Sequence, residues 1–156
     1  MFSATMPPKI RELARKILVD PVEISIAISK PAEGVLQAVC FAYDHQKTPL
    51  INSMIANKPA VKSILIFTST KKKVNDIVRG LRSKGYVVEG ISSDLEQSER
   101  EEVLLRFRSK QTRVLVATDV LSRGIDIKDI NLVINYDVPG DAEDYVHRIG
   151  RTARAD

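Results

Sequence analysis

Four short, almost unbroken apolar runs, separated by stretches of helical period, constrain this chain more than any other feature. They are Ile64-Leu65-Ile66-Phe67, Tyr86-Val87-Val88, Val114-Leu115-Val116-Ala117 and Leu132-Val133-Ile134. A strand with one face in water alternates apolar and polar residues, so a run without alternation is covered on both faces. The intervening segments supply the cover. Val74, Ile77, Val78 and Leu81 fall at i, i+3, i+4 and i+7 after a Thr70 cap. Val103, Leu104 and Phe107 mark a second helix, for which Asp94 and Gln97 offer a capping box. Ala142, Tyr145, Val146 and Ile149 mark a third after Asp141. Upstream, Val35 to Phe41 reads as a further strand and His45 to Ala56 as a helix. Strands alternating with helices predict an α/β fold, a parallel sheet sandwiched between helices.

The first thirty residues break this rhythm. Pro7-Pro8 can open a helix with an apolar stripe of Ile10, Leu13, Ala14, Ile17 and Leu18, and Asp20-Pro21 ends it. An extended piece, Val22 to Ile28, leads into Ser29-Lys30-Pro31-Ala32-Glu33-Gly34, which has the composition of a linker. A helix and strand placed before a linker suggest the tail of a preceding domain.

Composition narrows the class without naming a chemistry. At 156 residues, 44% hydrophobic and 28% charged, the chain can build one packed domain. No apolar run approaches the ~20 residues that span a bilayer, and no secretory leader is recognisable, so no membrane partner is expected. The single cysteine, Cys40, excludes an internal disulfide and suits a reducing cytoplasm. Lys and Arg exceed Asp and Glu by 24 to 20, which tolerates a polyanionic partner without demanding one. No His/Cys spacing resembles a metal site.

Ligands of open parallel sheets bind beyond the carboxyl ends of the strands. Thr68-Ser69-Thr70-Lys71, Ser92-Ser93-Asp94 and Thr118-Asp119 occupy those places here. Such residues suit phosphate oxygens, yet helices need the same residues as caps, and for any one site the cap is the ordinary explanation. Three on one edge weaken that explanation without reversing it. Lys71-Lys72-Lys73 opposes the dipole of its helix and reads first as a solvated run. In His147-Arg148-Ile149-Gly150-Arg151-Thr152-Ala153-Arg154, a continuing helix would align His147, Arg151 and Arg154 on one face. A shared phosphate would explain the alignment. So would a solvated basic face paired with Asp141, Glu143 and Asp144, and both readings stand at this point.

Taken in order, these residues resemble the DEAD-box RNA helicases. Ser3-Ala4-Thr5 resembles motif III, Ile64 to Thr70 motif IV, and Gln97 with Arg100 the QxxR element. Ala117 to Ile127 resembles motif V, and Tyr145 to Arg154 motif VI. The likeness covers nearly the whole chain, in family order and spacing. It implies that residues 1–33 are the tail of a first RecA-like domain plus a linker. Residues 34–156 would then be the second RecA-like domain, trimmed after motif VI.

By the resemblance, Arg154 is the arginine finger, with Arg151 beside it on the γ-phosphate of ATP. Gly124 and Asp126 meet the ribose side. Thr70, Arg100 and Thr118 hold RNA backbone phosphates, without reading sequence. Ser3, Thr5 and His147 couple nucleotide state to closure of the two domains. No phosphate loop of the G-x-x-x-x-G-K-[ST] type and no Asp-Glu-Ala-Asp stretch occurs in the sequence. The resemblance places both, with the Mg²⁺ ligands, in the N-terminal RecA-like domain, so this piece alone is expected to be inactive. Two positions depart from the family pattern: Ser93 where Gly is common, and Ala153 where motif VI commonly has Gly. Compact motifs suggest a bacterial source. A DNA translocase of the same superfamily is disfavoured because motif VI opens with His147 rather than glutamine. A non-catalytic RNA- or protein-binding module would need Thr70, Arg100 and Thr118 but neither Arg151 nor Arg154.

Overall fold

The computed structural model describes residues 8–22, 35–119, 127 and 130–152. The chain divides into two compact units, Met1–Lys30 and Pro31–Asp156. The described part of the first is helix α1, Pro8–Ile17, extended by a hydrogen bond from Leu18 N–H to the Ala14 carbonyl. Asp20 takes a left-handed φ of 46° before Pro21, which ends the helix where the sequence predicts.

In the second unit the described elements follow as α2 (Asp44–Ala56), β1 (Ile64–Phe67), α3 (Lys71–Arg82), β2 (Val88–Ile91), α4 (Gln97–Arg108), β3 (Val114–Ala117), β4 (Leu132–Asn135) and α5 (Ala142–Ile149). The four strands form a parallel sheet in the order β2-β3-β1-β4. Ile64 stands opposite both Val114 and Leu132, and Val88 opposite Val114.

The unbroken apolar runs are explained by what covers each face. Successive side chains of a strand point to opposite faces. Ile64, Ile66, Val114 and Val116 therefore pack with Ile51 and Ile55 of α2 and with Val74, Ile77 and Leu81 of α3. Leu65, Phe67, Leu115 and Ala117 pack on the other face with Val103, Leu104 and Phe107 of α4. The predicted sandwich is thus present. Gly90 allows close contact between β2 and α3, since a Cβ there would lie 2.8 Å from Val74 Cγ1.

Three local expectations change. The segment Val35 to Phe41 forms no ladder among the described residues, and Leu36, Val39 and Phe41 are exposed. The second strand lies at Val88–Ile91 rather than 86–88, because Glu89 and Gly90 interrupt an apolar pattern that the sheet nevertheless accommodates. Glu89 is tolerated because Arg106 reaches its Oε1 from Nε and Nη2 at 2.9 and 2.7 Å, and the Thr112 hydroxyl donates to its other oxygen. Burial would raise its pKa, but those donors hold the carboxyl below its ordinary value. Finally, α4 starts after Glu96 instead of Asp94. The Glu99 carboxylate accepts from the Glu96 N–H at 2.8 Å, while Asp94 pairs with Lys71.

Candidate nucleic-acid and nucleotide interface

The carboxyl ends of the strands form one polar edge. Beyond β1, Thr68 is buried and Thr70 is exposed. The Thr70 hydroxyl oxygen accepts from Lys73 N–H at 3.3 Å, so it is the predicted cap of α3. Beyond β2, Asp94 pairs with Lys71. Arg100, in the first turn of α4, approaches the Ser93 carbonyl at 3.5 Å, and its buried Nε has no hydrogen-bond partner. Beyond β3, Thr118 is half-buried, with its N–H 3.4 Å from the Ile91 carbonyl. Strand order fixes their arrangement: β3, leading to Thr118, lies between β2, leading to Arg100, and β1, leading to Thr70. The fold therefore brings Thr70, Arg100 and Thr118 to one edge.

The fourth strand end holds a functional candidate that sequence reasoning missed. Asp137 Oδ2 accepts from the Thr68 hydroxyl, the Ser69 N–H and the Ser69 hydroxyl, each at 2.8 Å. Its Oδ1 accepts from Lys73 Nζ at 2.7 Å, with Lys47 Nζ at 3.6 Å. Burial pushes this carboxyl up, but Lys73, the Ser69 amide and hydroxyl and Thr68 outweigh it and hold it far below the usual carboxylate range. The three-lysine run is accordingly more than a solvated face, because Lys71 and Lys73 are tied to Asp94 and Asp137. The signal that could have found Asp137 is its place beyond the apolar run Leu132-Val133-Ile134, the same strand-end position that marks the other three sites.

Helix α5 begins after Asp141, whose carboxylate accepts from Asp144 N–H at 2.7 Å. It ends at Ile149, with Gly150 as its C-cap, and Arg151 and Thr152 form a turn. Arg151 thus lies past the end of α5 and does not share a continuous helical face with His147. His147 is half-buried with an unpartnered buried Nδ1, and Arg151 is half-buried. Arg148, which in the sequence is only one member of a basic string, is 1% exposed. Its Nε and Nη2 donate to Asp119 Oδ1 at 2.8 and 2.6 Å. Its Nη1 donates to Asn135 Oδ1 at 3.1 Å and to the Asp137 carbonyl at 2.9 Å. The guanidinium lies 5.2 Å from the centroid of the Phe67 ring. Burial so complete leaves no signature in a lone His-Arg-Ile-Gly-Arg string. Ser3, Thr5, Gly124, Asp126, Ala153 and Arg154 lie outside the described residues.

Chemically, the edge offers hydroxyls, backbone N–H groups and guanidinium donors, which suit phosphate oxygens. Among the described residues no group of three or more His, Cys, Asp or Glu could hold a metal ion, and no helix is long and apolar enough to cross a membrane.

Residues 46–156 match the helicase conserved C-terminal domain. The chain is 45% identical to the ATP-dependent RNA helicase DBP2 of Eremothecium gossypii over 99% of its own length and 28% of that protein's. It superposes on Saccharomyces cerevisiae Dbp5 bound to RNA and ADP BeF3 with a TM-score of 0.77 and 31% identity, covering 96% of this chain and 40% of that one. A DEAD box protein from the hyperthermophile Methanococcus jannaschii gives 0.71 and 40% identity, covering 99% of this chain and 41% of that one. The curated relatives of which it spans 28% to 32% are fungal and plant proteins, which give the expectation of a bacterial source no support.

Proposed function

Because this chain belongs to the helicase conserved C-terminal domain family, in its DEAD-box branch, we propose that it works as the second RecA-like half of an ATP-dependent RNA helicase. The observation that carries the reading is the convergence of Thr70, Arg100 and Thr118 on one strand-end edge, which α5 reaches through Arg148 and Asp119, with Arg151 in the turn that follows α5. Residues 1–33 are the tail of the first RecA-like domain and its linker, and 34–156 the second domain.

In this reading Thr70, Arg100 and Thr118 bind consecutive phosphates of an RNA strand, which fixes position and leaves sequence unread. Arg154 and Arg151 approach the γ-phosphate of ATP from the side opposite the first domain. Gly124 and Asp126 line the ribose. A half-buried guanidinium at Arg151 fits such a role. By the resemblance to the DEAD-box family, Mg²⁺ and most nucleotide contacts belong to the N-terminal domain. ATP supplies the phosphoryl group that is transferred to water, and the arginines stabilise charge developing on it. Ser3, Thr5 and His147 couple that event to domain closure. Closure on RNA bends the strand and separates a short duplex, and reopening releases it. The setting is the cytoplasm, where the exposed Cys40 stays a thiol.

Arg154→Ala in the full-length protein tests this. ATP hydrolysis should fall by about 10³-fold or more with RNA affinity retained. Unchanged hydrolysis would favour a module that binds RNA or protein and never engages ATP.

A further inference from the structure

Arg148 touches the ends of three adjacent strands at once. Its Nε and Nη2 hold Asp119, the residue after Thr118 beyond β3. Its Nη1 holds Asn135, the last residue of β4, and the Asp137 carbonyl beyond it. Its guanidinium carbon lies 5.2 Å from the ring centroid of Phe67, the last residue of β1. Asp137 in turn grips Thr68 and Ser69, the residues before Thr70. Arg148 thus connects the Thr118 loop directly, and the Thr70 loop through Asp137, to the last turn of α5. His147 precedes it in the chain, and Arg151 lies one turn beyond, its N–H 3.3 Å from the Arg148 carbonyl.

Stability does not account for this choice of residue. The Arg148 side chain is 2% exposed while that of Asp119 is 47% exposed, so the cation is desolvated more completely than its counter-ion. A buried ion pair replaced by apolar residues of similar volume is often no less stable. What an apolar residue cannot do is hold three strand ends and a helix in one fixed relation, which the planar fork of a guanidinium does.

We propose that the Arg148–Asp119 pair is the link by which occupation of the phosphate-contacting edge at Thr118 and Thr70 sets the position of Arg151, so that both residues position others and neither touches ligand. The inference rests on the helicase reading above. A displacement of the Thr118–Asp119 loop by a bound phosphate is carried by a short, charge-assisted contact into a rigid helix, and from its last turn to the arginine that follows.

The test uses the full-length protein, with Asp119→Asn and Arg148→Lys beside the parent. Asparagine keeps an acceptor for Nε without the charge; because it leaves the buried Arg148 cation without its counter-ion, the fold of each variant is checked by circular dichroism and thermal unfolding. Lysine keeps the charge but cannot span Asp119, Asn135 and the Asp137 carbonyl together. ATPase rates are measured against oligo(U) RNA concentration, with RNA affinity measured separately by anisotropy. The ratio of RNA-saturated to RNA-free turnover should fall about 5- to 30-fold in both variants, while RNA affinity and RNA-free turnover change by less than about threefold. Retained stimulation overturns the link, as does a parallel loss of stimulated rate, RNA-free rate and affinity, which marks a merely structural contact. A parent with no RNA-stimulated hydrolysis overturns the helicase reading itself, and the link with it.

Discussion

Asp137→Asn isolates the electrostatic part of the strand-end network. In the native side chain three donors meet Oδ2, and Lys73, with Lys47 farther off at 3.6 Å, meets Oδ1. An amide supplies one acceptor oxygen, so its NH₂ must face either Lys73 or the Thr68–Ser69 donors. A hydrogen bond to a charged group contributes ~1.5–3 kcal/mol. Lys73 is 36% exposed and can turn toward water, which discounts its share. The expected loss is therefore about 2–3 kcal/mol at pH 7, read from urea unfolding followed by circular dichroism. The pH dependence is the sharper readout. The folded carboxyl titrates well below its unfolded value of about 3.9. Its contribution is thus fully present above that value and drains as pH falls toward the folded pKa, by about 1.4 kcal/mol per pH unit. Asparagine has no such proton, and the remaining carboxylates are common to both proteins. The stability difference between parent and variant should therefore narrow below about pH 4. A difference that stays constant from pH 7 to pH 3 would refute an ionised Asp137 held by these donors.

Gly90→Ala should cost about 1–3 kcal/mol in the same unfolding assay, because its Cβ would stand 2.8 Å from Val74 Cγ1 and 3.2 Å from Val78 Cγ2; an unchanged midpoint would contradict the close packing of α3 on β2. Thr70→Ala should cost about 1 kcal/mol through the lost cap. In the full-length protein it should also weaken binding to RNAs of different sequence by a common factor, and a loss confined to some sequences would count against a backbone contact.

How much of this was legible in the sequence depends on the range of the interaction. The β1 and β3 runs and the Val74-Ile77-Leu81 stripe were plain because each is repeated locally, and their burial on both faces follows. Thr70 and Asp141 were legible as caps for the same reason, since the N–H groups they accept from are three residues away. Strand β2 was misplaced because Glu89 looks like a strand end until Arg106 and Thr112, distant in sequence, are brought beside it. The α4 cap was misassigned because Asp94 and Glu96 offer equivalent local patterns, and only the Lys71–Asp94 pair decides between them. Asp137 and Arg148 depend on partners up to 69 residues away; the place of Asp137 beyond the β4 run is its one local signal, and nothing local announces the burial of Arg148. The strand-end rule nonetheless located the edge, and the resemblance assigned its residues.

The most direct test of a composite site is ATP hydrolysis by this 156-residue chain beside the full-length protein, each with and without single-stranded RNA. A composite site predicts a silent chain and a full-length protein whose turnover RNA raises. Robust turnover by the chain alone would mean that its own residues complete the nucleotide site, and would contradict the division of labour proposed here.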